Sequence, residues 1–177
     1  ITATPHIESR FKKINKETYS IYNFPEFNID NPLVSFDKKG NHVCYIGGLS
    51  EIRGIHEILK AIAISDSRLI LAGMAESTTI AEEIEKSVSE GKTIFKGKVS
   101  RSEVNNILSE SKAGLVTFLP EPNHINAQPN KMFEYMSSGI PVIASNFPLW
   151  REIVEGNDCG LCVDPLDPKA IAAAIDF

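Results

Sequence analysis

From residue 42 onward, short runs of β-branched and apolar residues alternate with stretches whose apolar residues recur at helical spacing. That alternation constrains the fold more than any other feature. Parallel strands need a long crossover between them, and an amphipathic helix is the usual crossover. Six candidate strands are legible, at 43–46, 69–72, 93–95, 113–119, 141–144 and 160–163. The best of them are almost wholly apolar, as strands covered on both faces must be. The expected fold is therefore α/β, a Rossmann-like doubly wound parallel sheet.

The intervening segments support this. Ile55, Ile58, Leu59 and Ile62 form one apolar stripe after Gly54, and Ile80, Ile84 and Val88 form another on an acidic segment. Val104, Ile107 and Leu108 follow a capping-box signal of Ser100 and Glu103. Pro129 at a first helical position, the stripe Met132, Phe133 and Met136, and Gly139 as terminator define a fourth helix. A short helix is expected from Pro148 to Val154, and a last one capped by Asp167 and Pro168 that is still amphipathic at Phe177, as in a domain truncated within its C-terminal helix. Ahead of the sheet, residues 1–22 read as strand, basic helix and strand, with Arg10, Lys12, Lys13 and Lys16 on the helix's polar side. The loop that follows, with Pro25, Asn28, Asp30, Asn31 and Pro32, has the composition of an interdomain hinge.

Composition narrows the partners. With 177 residues the chain is sized for one complete domain and a fragment of another, here residues 33–177 and 1–32. A formal charge of -5 argues against nucleic acid, whose phosphates need concentrated positive charge, so any bound phosphate must meet a local site. No run of roughly eighteen apolar residues spans a bilayer. No secretory leader is visible at Ile1, and three cysteines give no disulfide framework, which suits a cytoplasmic location or, for a full-length protein, one peripheral to a membrane. Cys159 and Cys162 lack a second ligand pair for zinc and read as buried small residues, while His6, His42, His56 and His124 lack metal-site spacing. No metal is expected.

In doubly wound sheets ligands bind beyond the carboxyl ends of the strands. Three loops there carry unusual residues. The first includes Gly47, Gly48, Arg53 and Gly54, where glycines permit close approach, a helix N-terminus favours an anion, and a guanidinium can fork onto a diphosphate. Turn-forming glycines and a solvated first-turn arginine account for the same residues. The second, 120–128, holds Asn123, His124 and Asn126 and leads into Asn130, Lys131 and Glu134. Asn130 and Lys131 suit a second anion site, and a carboxylate at Glu134 can accept two hydrogen bonds from a vicinal diol. A plain Lys131–Glu134 surface pair is the alternative. The third, 96–99, places Gly97 and Val99 where main-chain groups could read a base edge, although Lys-Gly-Lys is also an ordinary turn.

Taken in order, these pieces resemble the donor-binding C-terminal domain of retaining GT-B glycosyltransferases, the large family four, across residues 42–177. The most specific block runs from Pro129-Asn130-Lys131-Met132-Phe133-Glu134-Tyr135-Met136 through Gly139-Ile140-Pro141 to Ala144, followed by Trp150-Arg151-Glu152 and Gly160-Leu161-Cys162-Val163-Asp164-Pro165. The resemblance implies that Glu134 binds the donor ribose, that Arg53 binds the diphosphate, and that 96–99 holds the base through its main chain. It also implies that residues 1–22 are the tail of a preceding acceptor domain. Two departures stand out. Gly48 occupies a position where the family commonly has arginine, a loss that Lys131 could offset. Counting back over the seven-residue spacing of the family's paired glutamates from Glu134 reaches Asn126, an uncharged residue that can only hydrogen-bond the sugar.

The function so implied is transfer of a sugar, with retention, from a nucleoside-diphosphate sugar to a glycan or lipid-linked acceptor held by an N-terminal domain outside this sequence. No catalytic residue beyond the sugar contact at Asn126 is assigned, and no cofactor or metal is expected. An epimerase of the same architecture and a non-catalytic nucleotide-sugar-binding module are the alternatives, the second favoured by Asn126 and Gly48.

Overall fold

The computed structural model describes residues 1–25 and 39–177. Six strands form one parallel sheet: β1 (His42–Ile46), β2 (Arg68–Ala72), β3 (Thr93–Gly97), β4 (Ala113–Val116), β5 (Val142–Ser145) and β6 (Gly160–Val163). Their spatial order is β3-β2-β1-β4-β5-β6. The chain works outward from β1 to one edge, then returns and works outward from β4 to the other. β1 and β4 are thus neighbours from which the connections diverge, and the loops beyond their carboxyl ends flank a crevice. β1 and β4 are buried along nearly their whole length.

The helices are α1 (Pro5–Phe11), α2 (Ile55–Ile64), α3 (Thr78–Ser89), α4 (Arg101–Glu110), α5 (Pro122–Ile125), α6 (Asn130–Ser137), α7 (Pro148–Val154) and α8 (Pro168–Asp176). Each expected stripe faces the core except at Val88, which is 42% exposed, and at Phe133, which is half-buried and packs against Phe24. α8 is capped by Asp167 and tied back at its other end, where Asp176 accepts from Ser65 Oγ at 2.6 Å.

Four expectations are revised. The run at 113–119 is a strand only to Val116, because residues 117–119 turn away toward the crevice, Leu119 N–H donating to Ile52 O at 3.0 Å. Residues 1–22 form α1 and only an isolated bridge between Thr2 and Ser20, since two short segments alone cannot sustain a sheet. Lys13 and Lys16 lie beyond α1, which ends at Phe11, so the basic residues do not share a helical face. Cys159 and Cys162 are half-buried rather than buried. The hinge reading falls mainly on residues 26–32, outside the described residues.

Candidate functional site

The crevice is built from the core outward. Gly114 on β4 leaves room that a side chain would close: a Cβ there would sit 2.2 Å from Tyr135 Cδ2. The Tyr135 ring, buried under α6, reaches β1 and its hydroxyl accepts the Ile46 N–H at 3.1 Å. Tyr45 is equally buried and donates its hydroxyl to Gly48 O at 2.9 Å. Two tyrosines thus fix the path of the Gly47–Gly48 turn from below. The second loop is held by the Trp150 indole, which donates to Ala127 O at 2.7 Å, by Ser145 Oγ donating to Phe118 O at 2.6 Å, and by His124 Nδ1 at 3.1 Å from Leu119 O. Residues 122–125 of this loop form α5, which the sequence did not predict, and Asn126 is its half-buried C-cap.

On this frame two cations meet. Lys131, in the first turn of α6, lies under the glycine turn, with its Nζ 3.7 Å from the Tyr45 ring centroid and 5.3 Å from that of Phe118. That nitrogen is buried and has no hydrogen-bond partner among the described residues. Burial, reinforced by the neighbouring Arg53 charge, lowers its pKa to about 7. Arg53 ends a single 3-10 turn, Glu51–Arg53, and its guanidinium carbon is 5.7 Å from the Phe118 ring centroid. A Cβ on Gly47 would come within 2.8 Å of Lys131 Nζ, and one on Gly48 within 2.9 Å of Arg53 Nη1. The glycines are what allow both cations to approach the turn. The aromatic rings offset part of the desolvation of the ammonium, and the charge of Glu134 a smaller part without a hydrogen bond.

The amides are distributed differently from the sequence expectation. Gly47 N–H is used by the sheet, donating to Ala72 O at 2.9 Å, so it is not available to a phosphate. Pro129, extended at ψ 128, precedes α6 rather than opening it, and no side chain caps that helix, which leaves the Asn130 and Lys131 amides at an uncapped N-terminus. Asn130 itself is exposed. In the third loop Gly97, with φ 61, is the last residue of β3 and its carbonyl already accepts from Gly73 N–H at 2.8 Å. Val99 packs partly against the core.

Glu134 does not pair with Lys131 as the simple surface reading had it. Its Oε1 accepts from Arg101 Nη1 at 2.7 Å. Arg101 drew no attention in the sequence, although it directly follows the capping residue Ser100 after the third loop. Its capping box is complete: Ser100 N–H donates to Glu103 Oε2 at 2.7 Å, and Ser100 Oγ accepts from Glu103 N–H. α4 must cross from edge strand β3 to β4 and packs on β1 on the way, which brings its first residue beside α6.

The remaining candidates are unsuited to this chemistry. A recess lined by Glu51, His56, Glu76, Ser77, Thr79 and Ile80 carries carboxylates where a phosphate would need cations. His56 is held by Glu83 at 2.6 Å. Burial pushes the Cys162 thiol up to about 12. Among the described residues no group of three or more His, Cys, Asp and Glu side chains is placed to hold a metal, and no helix is long and apolar enough to cross a membrane.

The family model described as "Glycosyl transferases group 1" matches residues 40–177. A curated relative, an uncharacterized glycosyltransferase of Methanocaldococcus jannaschii, is 23% identical over 93% of this chain and 48% of its own length. Among solved structures, Anabaena HepE in complex with UDP and glucose superposes with a TM-score of 0.75 at 20% identity, over 99% of this chain and 52% of that one. S. aureus TarM, solved with fondaparinux, α-GlcNAc-glycerol and UDP, superposes with a TM-score of 0.72 at 18% identity, over 99% and 35%. The chain spans about half the length of the curated relative it matches.

Proposed function

The chain belongs to the group 1 glycosyl transferases and has the fold of one half of a GT-B enzyme, and from that premise we propose that it is the donor-binding domain, holding a nucleoside-diphosphate sugar for transfer with retention. The observation that carries the proposal is the buried, unpartnered Lys131 ammonium beside Arg53 at the Gly47–Gly48 turn. Two cations that repel each other inside a crevice lined with aromatic rings are complementary to an anion carrying more than one charge. A diphosphate bridging Arg53, Lys131 and the uncapped start of α6 supplies it. Glu134 takes the ribose diol, and the main chain of Lys98 and Val99 faces the base, the Gly97 carbonyl being already engaged. As the glycosidic bond breaks, charge builds on the departing diphosphate, and fixed cations there stabilise the transition state without a metal. Asn126 contacts the sugar.

In this reading residues 33–177 are the donor domain and residues 1–32 the end of an acceptor domain and its hinge, the substrate of that domain being a glycan or lipid-linked acceptor. Full catalysis needs both halves. HepE with UDP and glucose is the kind of neighbour this reading expects, a protein of the same fold holding a nucleoside diphosphate. An epimerase or a turnover-silent binding module would share the phosphate site. Mass spectrometry of the full-length enzyme with donor and acceptor separates transferred sugar from isomerised sugar or unchanged donor.

The direct test on this chain is calorimetric titration with UDP, GDP and ADP. One of them binds, and Arg53→Ala or Glu134→Ala each weakens it by about tenfold or more, the loss of one charge-assisted hydrogen bond. Unchanged affinity in both variants would refute the site.

A further inference from the structure

Arg101 is 65% exposed, and an exposed ion pair of this kind adds little to stability. Yet it is the only hydrogen-bond partner of the Glu134 carboxylate among the described residues, and its own backbone is fixed by a complete capping box. The pair spans 33 residues of sequence and joins the helix that follows the third loop to the helix that carries Lys131. Only Oε1 is engaged, so Oε2 and the second lone pair of Oε1 remain open to a ligand.

We propose that Arg101 is a positioning residue for nucleoside recognition: it holds Glu134 in the rotamer that accepts a ribose diol and so makes the site selective for ribonucleotides over 2′-deoxyribonucleotides. A glutamate on a helix has three side-chain torsions to order before it can accept two hydrogen bonds at once. Arg101 orders them in advance, so a diol meets a carboxylate already in place. Because the carboxylate keeps open lone pairs, the arginine and the diol share it rather than compete. The diphosphate cations Arg53 and Lys131 belong to other elements and are not touched by the change. This inference rests on the reading of Glu134 as the ribose acceptor.

The experiment measures affinity for three ligands in wild-type and variant chains: whichever of UDP, GDP and ADP binds most tightly, its 2′-deoxy form, and inorganic pyrophosphate. Arg101→Ala is expected to weaken the ribonucleotide by about five- to tenfold, the range of a single hydrogen bond to a charged group. Pyrophosphate, and the 2′-deoxy form relative to its own wild-type value, should change by less than about twofold, and Arg101→Lys should restore part of the loss. Equal weakening of all three ligands would mark Arg101 as a general contributor of charge or structure and would overturn the proposal. So would an unchanged or tighter ribonucleotide complex. If Glu134→Ala leaves ribonucleotide binding intact, the underlying site assignment fails first, which is distinguishable because Arg101→Ala is then compared against a glutamate with no role.

Discussion

Lys131 concentrates the conflict between folding and binding in one side chain. Its ammonium is buried against the Tyr45 ring with no hydrogen-bond partner among the described residues, a placement that costs stability unless the proton leaves or an anion arrives. Lys131→Met keeps the stem and removes the charge, so the variant should be more stable at neutral pH by about 1–3 kcal/mol in denaturant unfolding. The sign of the pH dependence follows from the lowered pKa. Between about 7 in the folded chain and 10.5 in the unfolded one, the unfolded state binds more protons, so the Lys131 contribution rises with pH across that window and levels off below it. The difference between wild type and Lys131→Met should shrink accordingly from pH 7 to pH 9. Anion binding acts oppositely. A diphosphate favours the charged form, so complex formation above pH 7 takes up a proton, and Lys131→Met should abolish that uptake in calorimetry run in buffers of different ionisation enthalpy.

At the scale of elements, the glycine turn is supported from below rather than built by itself. Gly114→Ala would drive the Tyr135 ring away from β4, and with it the hydroxyl that holds Ile46 N–H. The expected cost is about 2 kcal/mol of stability, from overpacking, together with weaker nucleotide binding at a site the substitution never touches. Urea unfolding and a single titration check both. The elements themselves were largely legible in the sequence, because stripes such as Ile55, Ile58, Leu59 and Ile62 and runs such as 69–72 carry their period locally. What the sequence did not disclose depends on long-range placement. The Arg101–Glu134 pair arises only because α4 crosses the sheet, the Tyr135 hydroxyl meets β1 only because Gly114 opens the way, and Gly47 N–H proved to be used by β2.

On the scale of the whole molecule, a net charge of -5 coexists with a local cationic crevice. The sheet explains how: the order β3-β2-β1-β4-β5-β6 puts the loops after β1 and β4 side by side, so Arg53 from one and Lys131 from the other converge although they are far apart in sequence. Phe24 packs edge-on against Phe133 of α6, so the segment ahead of the sheet touches the helix that carries Lys131 and Glu134. The family resemblance read from 129–144 agrees with the family match over residues 40–177, while the roles of single residues rest on the crevice geometry. The most direct test of those roles is amide NMR of the isotope-labelled chain titrated with UDP, GDP and ADP. Saturable shifts are predicted for Gly48, Val99, Asn130, Lys131 and Glu134 with one of the three, and not for Glu76, Ser77 or β6. Shifts centred on the acidic recess at Glu76, or none with any of the three nucleotides, would contradict the assignment of this crevice as the donor site.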